Sequence, residues 1–477
     1  MPPPSVRTRS VTSVALPTHG DVGGCRRVPL SPFDAYWVAL PPVRRVFLFP
    51  SPPPPPRPLP AVHGQAPFGD VVRALRDSLE AVLPAFYPFA GALVYSPEER
   101  TVSIVVGPSG GGVAFVEAET DLDIGRLLDE GEEHDEDALR KLVPDIRRDE
   151  LPAPVMAAQV TEFVGGGSGG GGVAVGVAVH HAAADGRGLW RFLEMWSAAA
   201  AAAAAGVREV LPSAPPLHDR TLVQFDGDGD GELVRLFLRQ IAPDLPKIVH
   251  APLRQGRLSR RTFTFAAPAV KLLKQRTTAD AAKSGDGGGK APSTFVAMAA
   301  HGWVAIARAS GLTDDGGGSP VFAVFLADVR TLMSPPAPGA YAGNCVALCV
   351  ASLNGAELAG PDARTRAAAA VMEAIDAVRR DPLGDRARWH DKFARVPPGR
   401  AVIMAGSPWF PAYAVQFGLG RPAARAELAS MNHDGEVVLV AGREAGSVQA
   451  SVAIAADKMA AFREMFVWLD EDGVSLT

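Results

Sequence analysis

The sequence predicts a mixed α/β chain in two domains, and three observations carry that expectation. The chain has 477 residues, more than a single hydrophobic core usually serves. Period-two and helical apolar patterns alternate along it instead of segregating into halves. A stretch rich in proline, aspartate and glycine, Leu211 to Pro246, interrupts the pattern near the middle. The expected layout is therefore an N-terminal domain over 1–210, a crossover linker over 211–246 and a C-terminal domain over 247–477.

In chain order, Val71 to Phe86 reads as a helix through Val72, Leu75, Leu79 and Val82, with Pro84 near its end. Thr101 to Val106 reads as a strand. Val173, Val175, Val177 and Val179 alternate with Ala174, Gly176 and Ala178, which predicts a strand with one face left open for something packed close. Leu189, Phe192, Leu193 and Trp196 then follow helical spacing, and the alanine run Ala198 to Ala205 continues that helix. Phe295 to Arg308 is an apolar helix; Val321 to Ala327, Asn344 to Ala351 and Gly446 to Ile454 are strands. Ser51 to Pro60, Gly165 to Gly172, Asp226 to Gly231, Ala279 to Gly289 and Asp314 to Gly318 read as inserted loops, too poor in apolar groups to repay ordering.

Composition narrows the function classes. Hydrophobic residues at 47% and charged residues at 21% match a globular chain and exclude general disorder. A net charge of −5 with no long basic run argues against nucleic acid as the main partner. Three cysteines, Cys25, Cys345 and Cys349, are too few for a disulfide framework or a structural zinc site. The first residues lack a continuous apolar h-region, and no stretch reaches the roughly 18 apolar residues of a spanning helix. The expectation is a soluble cytoplasmic protein with no membrane association.

Chemistry concentrates where the valine strand runs into His180, His181, three alanines, Asp185 and Gly186. A histidine at a strand end is rigidly held, and its ordinary pKa near 6.5 suits proton transfer at neutral pH. The small alanines leave space for a substrate beside the ring. Taken alone, the spacing does not separate a general base from a pair of core histidines followed by an Asp185 N-cap. His181 and Asp185 supply only two metal ligands, with no third at a suitable spacing, so no metal is expected. There is no G-x-S-x-G elbow, no P-loop and no strand–GxGxxG–helix context, which leaves serine nucleophiles and nucleotide chemistry without support.

These residues resemble the plant BAHD acyltransferases along nearly the whole chain. The family's H-x-x-x-D-G motif is matched by His181 to Gly186. Its D-F-G-W-G-[KR]-P motif is matched in part by Gln416-Phe417-Gly418-Leu419-Gly420-Arg421-Pro422. Further matches, in order, are Leu30 to Asp34, Phe86 to Gly91, Asp219-Arg220, Ser293-Thr294-Phe295 ahead of Trp303, Asp328-Val329-Arg330, Pro335-Pro336 and Tyr341 to Cys345. Gly406-Ser407-Pro408 and Gly343-Asn344-Cys345 look most like the branch that acylates phenolic glucosides and anthocyanins, with malonyl-CoA or hydroxycinnamoyl-CoA as donor.

The resemblance implies two similarly folded chloramphenicol-acetyltransferase-like domains with a channel between them, and a mostly monomeric enzyme. Acyl-CoA is then a co-substrate, with a small-molecule acceptor and no permanently bound cofactor. It makes His181 the general base, acting without an acyl-enzyme, and Asp185 an orienting residue paired with Arg330. Gln416, Phe417, Gly418 and Gly420 shape a structural loop. Ser293, Thr294 and Arg421 are implied CoA contacts, although Ser293 and Thr294 suit N-capping of the following helix equally. Phe33 and Tyr36, with Asp34, are placed at the acceptor mouth, although apolar packing suits Phe33 better, and Trp409 is placed at the substrate.

The departures are specific. Gln416 replaces the family's aspartate and Leu419 its tryptophan. Trp409 stands where malonyl-using relatives often carry a basic residue, and Ala92 where arginine is usual. They motivate an alternative, a catalytically weak member that binds small molecules. A third possibility, a peptide-synthetase condensation domain, shares the histidine motif but lacks the second one.

Overall fold

The computed structural model describes residues 5–16, 25–52, 67–107, 111–131, 133–165, 170–207, 214–223, 231–249, 257–283, 291–314, 318–383, 388–431, 433–469 and 474–475. Most of the proline-rich, Asp-Gly and long glycine-rich insertions lie outside these residues. The chain divides into two compact units. The first comprises 1–251, 338–344 and 413–430; the second comprises 252–337, 345–412 and 431–477. Two segments expected with the C-terminal domain, 338–344 and the second-motif loop, thus group with the first unit. The reason for the second is strand pairing: Arg425–Leu428 adds antiparallel to Val43–Pro50.

The first unit is built on a six-stranded mixed sheet, in the order Val6–Ala15, Gly112–Thr120, Met156–Phe163, Gly172–Val179, Val43–Pro50 and Arg425–Leu428. A four-stranded sheet of Arg26–Pro29, Thr101–Val106, Ala92–Ser96 and Ala153–Pro154 accompanies it. Gly172–Val179 is buried along its whole length between Met156–Phe163 and Val43–Pro50. Its small face is used as the alternation predicts. Ala174 and Ala178 join a core cluster with Leu139, Leu142, Val143 and Ile146. A Cβ at Gly176 would lie 2.1 Å from the Leu142 carbonyl oxygen, so only glycine admits that backbone.

The helix Gly186–Ala204 follows the histidine turn and carries the alanine run to its end. Trp190 meets Phe47 edge-on at 6.2 Å, and the Trp196 indole N–H donates to the Leu75 carbonyl of the neighbouring helix Phe68–Val82. That neighbour stops before Pro84, earlier than the apolar spacing suggests, because a residue ahead of proline disfavours the helical region.

The second unit is built on another six-stranded mixed sheet, ordered Leu258–Phe265, Val448–Ala455, Glu436–Ala441, Ala401–Gly406, Pro320–Asp328 and Val346–Asn354. The apolar helix Thr294–Ala309 is buried over most of its length, as its unbroken hydrophobic composition requires. The last strand starts two residues later than the apolar pattern suggests, because Asn344 is diverted into hydrogen bonds within the first unit. Among the described residues no helix is long and apolar enough to cross a membrane.

Candidate active site

The valine strand ends at Val179, and His180 caps a single 3-10 turn, His181–Ala183, by accepting from the Ala182 amide at Nδ1, 3.2 Å away. Ala184 is extended, and Asp185 then caps the helix Gly186–Ala204, its Oδ1 accepting from Gly188 N at 3.1 Å. The N-cap reading of Asp185 is met by this geometry. Ala182, Ala183 and Ala184 are all buried, and the Ala183 carbonyl accepts from Arg220 Nη2 at 2.8 Å.

His181 is partly exposed, and its Nδ1 is buried, so proton exchange with a ligand falls to Nε2. Burial of the ring pushes its pKa below the ordinary histidine value. Its own carbonyl, the charge of Asp185, the Asn344 side chain and the charge of Asp34 act in the opposite sense. Burial thus favours the neutral imidazole, the form a general base needs. The Trp37 indole lies on it face to face, ring centroids 3.8 Å apart and planes 14° from parallel.

Beneath this pair lies a buried polar hub that motif matching marked only as strings. Asp34 is fully buried. Its Oδ2 accepts from Ser31 N, Ser31 Oγ and Arg220 Nε at 2.9, 2.7 and 3.0 Å. Its Oδ1 accepts from Asn344 N and Nδ2 at 3.1 and 2.8 Å. Asn344 Nδ2 also donates to the His181 carbonyl at 2.9 Å. Arg220 completes its donors on the His218 carbonyl at 3.2 Å and faces the Tyr341 ring at 5.7 Å. A buried carboxylate persists only when paired and fully hydrogen-bonded, and here it is. The sequence signal for this hub was present: an Asp, an Arg and an Asn in three separate family strings, each too polar for a core.

The neighbouring residues divide. Phe33 is 1% exposed, on a turn capped by Ser31 and Asp34, which fits the packing reading of this ring. Tyr36 is half-buried, meets Trp37 and Phe237 edge-on, and burial raises its phenol to about 12. Trp409 is 84% exposed and belongs to the second unit. Ser293 spends its hydroxyl on Val296 N as the cap of Thr294–Ala309. Arg330, also of the second unit, pairs with Asp328 at 3.1 Å.

The second-motif loop docks on the helix that follows the histidine. Ser197 Oγ accepts from the backbone N–H of Gln416 and Phe417 at 2.8 and 3.0 Å. The Phe417 ring is buried against Phe47 and Trp196 at 5.5 and 4.9 Å. Phe417 and Gly418 both have positive φ, 50° and 72°. The two departures fall on the outer side of this loop: Gln416 is exposed and Leu419 only partly buried. Arg421 is half-buried, and loss of water lowers its pKa.

A family model described as the Transferase family matches residues 63–468. The chain is 27% identical over 424 residues to phenolic glucoside malonyltransferase 1 of Arabidopsis thaliana, covering 85% of each. It is 31% identical over 417 residues to putrescine hydroxycinnamoyltransferase 1 of Oryza sativa subsp. japonica, covering 82% of this chain and 86% of the relative. In fold it is similar to vinorine synthase, with a TM-score of 0.69 at 18% identity and 99% of both chains covered. An F. graminearum TRI101 complex with coenzyme A and T-2 mycotoxin aligns with a TM-score of 0.66 at 16% identity, covering 91% of this chain and 96% of that one. The fold is that of the chloramphenicol-acetyltransferase-like enzymes.

Proposed function

The chain belongs to the Transferase family, the BAHD acyltransferases, and is an acyl-CoA-dependent acyltransferase; on that premise we propose that it acylates a hydroxyl of a phenolic or flavonoid glucoside. Similarity to phenolic glucoside and anthocyanin malonyltransferases supports the acceptor class. The 31% identity to a putrescine hydroxycinnamoyltransferase keeps an amine acceptor and an aromatic acyl donor in the same test.

The observation that carries the mechanism is a partly exposed His181 whose Nδ1 is turned into the protein, with burial lowering its pKa. His181 Nε2 takes the acceptor's O–H proton as that oxygen attacks the thioester carbonyl. The tetrahedral intermediate collapses with loss of the C–S bond. The sulfur leaves with the proton returned by His181, giving an ester and free CoA thiol. No acyl-enzyme forms. Arg421, a half-buried cation, is our choice for a CoA phosphate contact, and Arg421→Ala is expected to raise KM for the donor.

The experiment is a matrix of malonyl-, hydroxycinnamoyl- and acetyl-CoA against flavonoid glucosides, alcohols and putrescine, read by CoA release. General-base assistance is worth about 10²–10⁴-fold, so His181→Ala should lose that much turnover with the fold retained. Wild-type rates in His181→Ala would sink the base assignment. Acyl-CoA bound by the wild-type protein, with no CoA released for any pair, would favour the weak-binding alternative instead.

A further inference from the structure

We propose that Trp37 is a positioning residue for the reaction, its stacked indole stabilising the imidazolium that exists while His181 holds the acceptor's proton. The inference rests on the reading of His181 as general base. Its physical content is a difference between two states. An aromatic face carries negative electrostatic potential and attracts a cation lying on it, indole most strongly. Neutral imidazole gains no such charge term. An interaction that appears only as charge develops lowers the barrier without tightening the ground state.

The stack has the geometry this requires, at 3.8 Å between centroids and 14° between planes. It is also held in place. Ser31 and Asp34 form a capping box around the Pro32–Ala35 turn, and the Trp37 amide donates to the Asp34 carbonyl at 3.0 Å. The Asp34 carboxylate is in turn tied to Arg220 and Asn344, and Asn344 to the His181 carbonyl. Tyr36 braces the indole edge-on, 5.7 Å away at 88°. One buried hub therefore anchors both rings, so their spacing does not depend on a mobile side chain alone.

The charged groups around the imidazole are Asp185, Asp34 and Asp34's partner Arg220; Tyr36 stays neutral through the working range. None of them is altered by changing Trp37. In Trp37→Leu the imidazolium loses the aromatic face. The titration of His181 and the acid limb of kcat/KM should then both move to lower pH, by up to about one unit, while kcat falls about 10-fold. KM for acyl-CoA should change little. Trp37→Phe keeps a weaker face and should fall between.

The test measures kcat, KM and the acid limb for all three proteins, and the ¹³Cε1 titration of His181 in the free protein, assigned by its absence in His181→Gln. Rate loss with an unmoved titration would overturn the proposal, since packing alone then explains the loss. An unchanged rate and titration in Trp37→Leu would overturn it as well. If Trp37→Leu does not fold, the smaller downward shift expected of Trp37→Phe decides. Survival of full activity in His181→Ala is a separate result, one that removes the base reading itself.

Discussion

Asp34 and Arg220, 186 residues apart in sequence, form a buried ion pair 3.0 Å long at the base of the histidine turn. The pair is the junction of four pieces of chain. It holds the capped turn that presents Trp37, the Ala183 carbonyl behind His181, the 338–344 segment through Asn344, and the His218–Arg220 stretch itself.

Removing one partner leaves the other charge buried and unpaired. Arg220→Leu is expected to cost about 3–5 kcal/mol, read as a lower denaturant midpoint. Arg220→Lys should recover only part, because an ammonium cannot reach Asp34, His218 O and Ala183 O together.

Asp185 has two separable effects. Its cap on Gly188 N should be worth about 0.5–2 kcal/mol, lost in Asp185→Ala and largely kept in Asp185→Asn. Its charge favours the protonated imidazole, so both variants should shift the acid limb of kcat/KM to lower pH. Equal stability of Ala and Asn at this position would refute the capping role.

Gly418 sits at φ 72°, and a Cβ there would lie 2.7 Å from the Ala200 carbonyl oxygen. Gly418→Ala should therefore cost about 1–3 kcal/mol through backbone strain, with further loss from the clash. Gln416→Asp, on the exposed side of the same loop, should stay within about 0.5 kcal/mol of the wild type. Thermal or denaturant unfolding of the two variants checks both numbers.

His218 supplies a pH dependence of stability. Burial holds its pKa down at about 4, against the hydrogen bond that its Nε2–H donates to the Ala85 carbonyl at 2.8 Å; the charges of Arg220 and Arg191 act with burial. The folded pKa is below the unfolded one, so the unfolded chain binds the extra proton. Its contribution is complete above about pH 6.5 and is lost as pH falls toward 4, about 3 kcal/mol in all. His218→Gln should flatten unfolding free energy across that window; an unchanged slope would rule the residue out.

Much of the molecule is legible in the sequence. Period-two valines with small residues between them located the buried strand. Ser293 marked a helix start, and the alanine run extended Gly186–Ala204 as intrinsic propensity requires. These are local facts, decided within a turn or a strand by side-chain shape and spacing. The motif order likewise placed His181 at the strand's end and Asp185 four residues on.

What the sequence left open involves partners distant along the chain. Spacing carries no information on whether an imidazole faces an indole, so nothing in the sequence pairs Trp37 with His181. The pairing of Arg425–Leu428 with Val43–Pro50, and of Asn344 with Asp34, moved two segments into the first unit against their place in the chain. Local periodicity determines which residues form a strand or a helix. Which carboxylate meets which guanidinium is decided only when burial makes an unpaired charge too costly to keep, and that is a property of the folded chain alone.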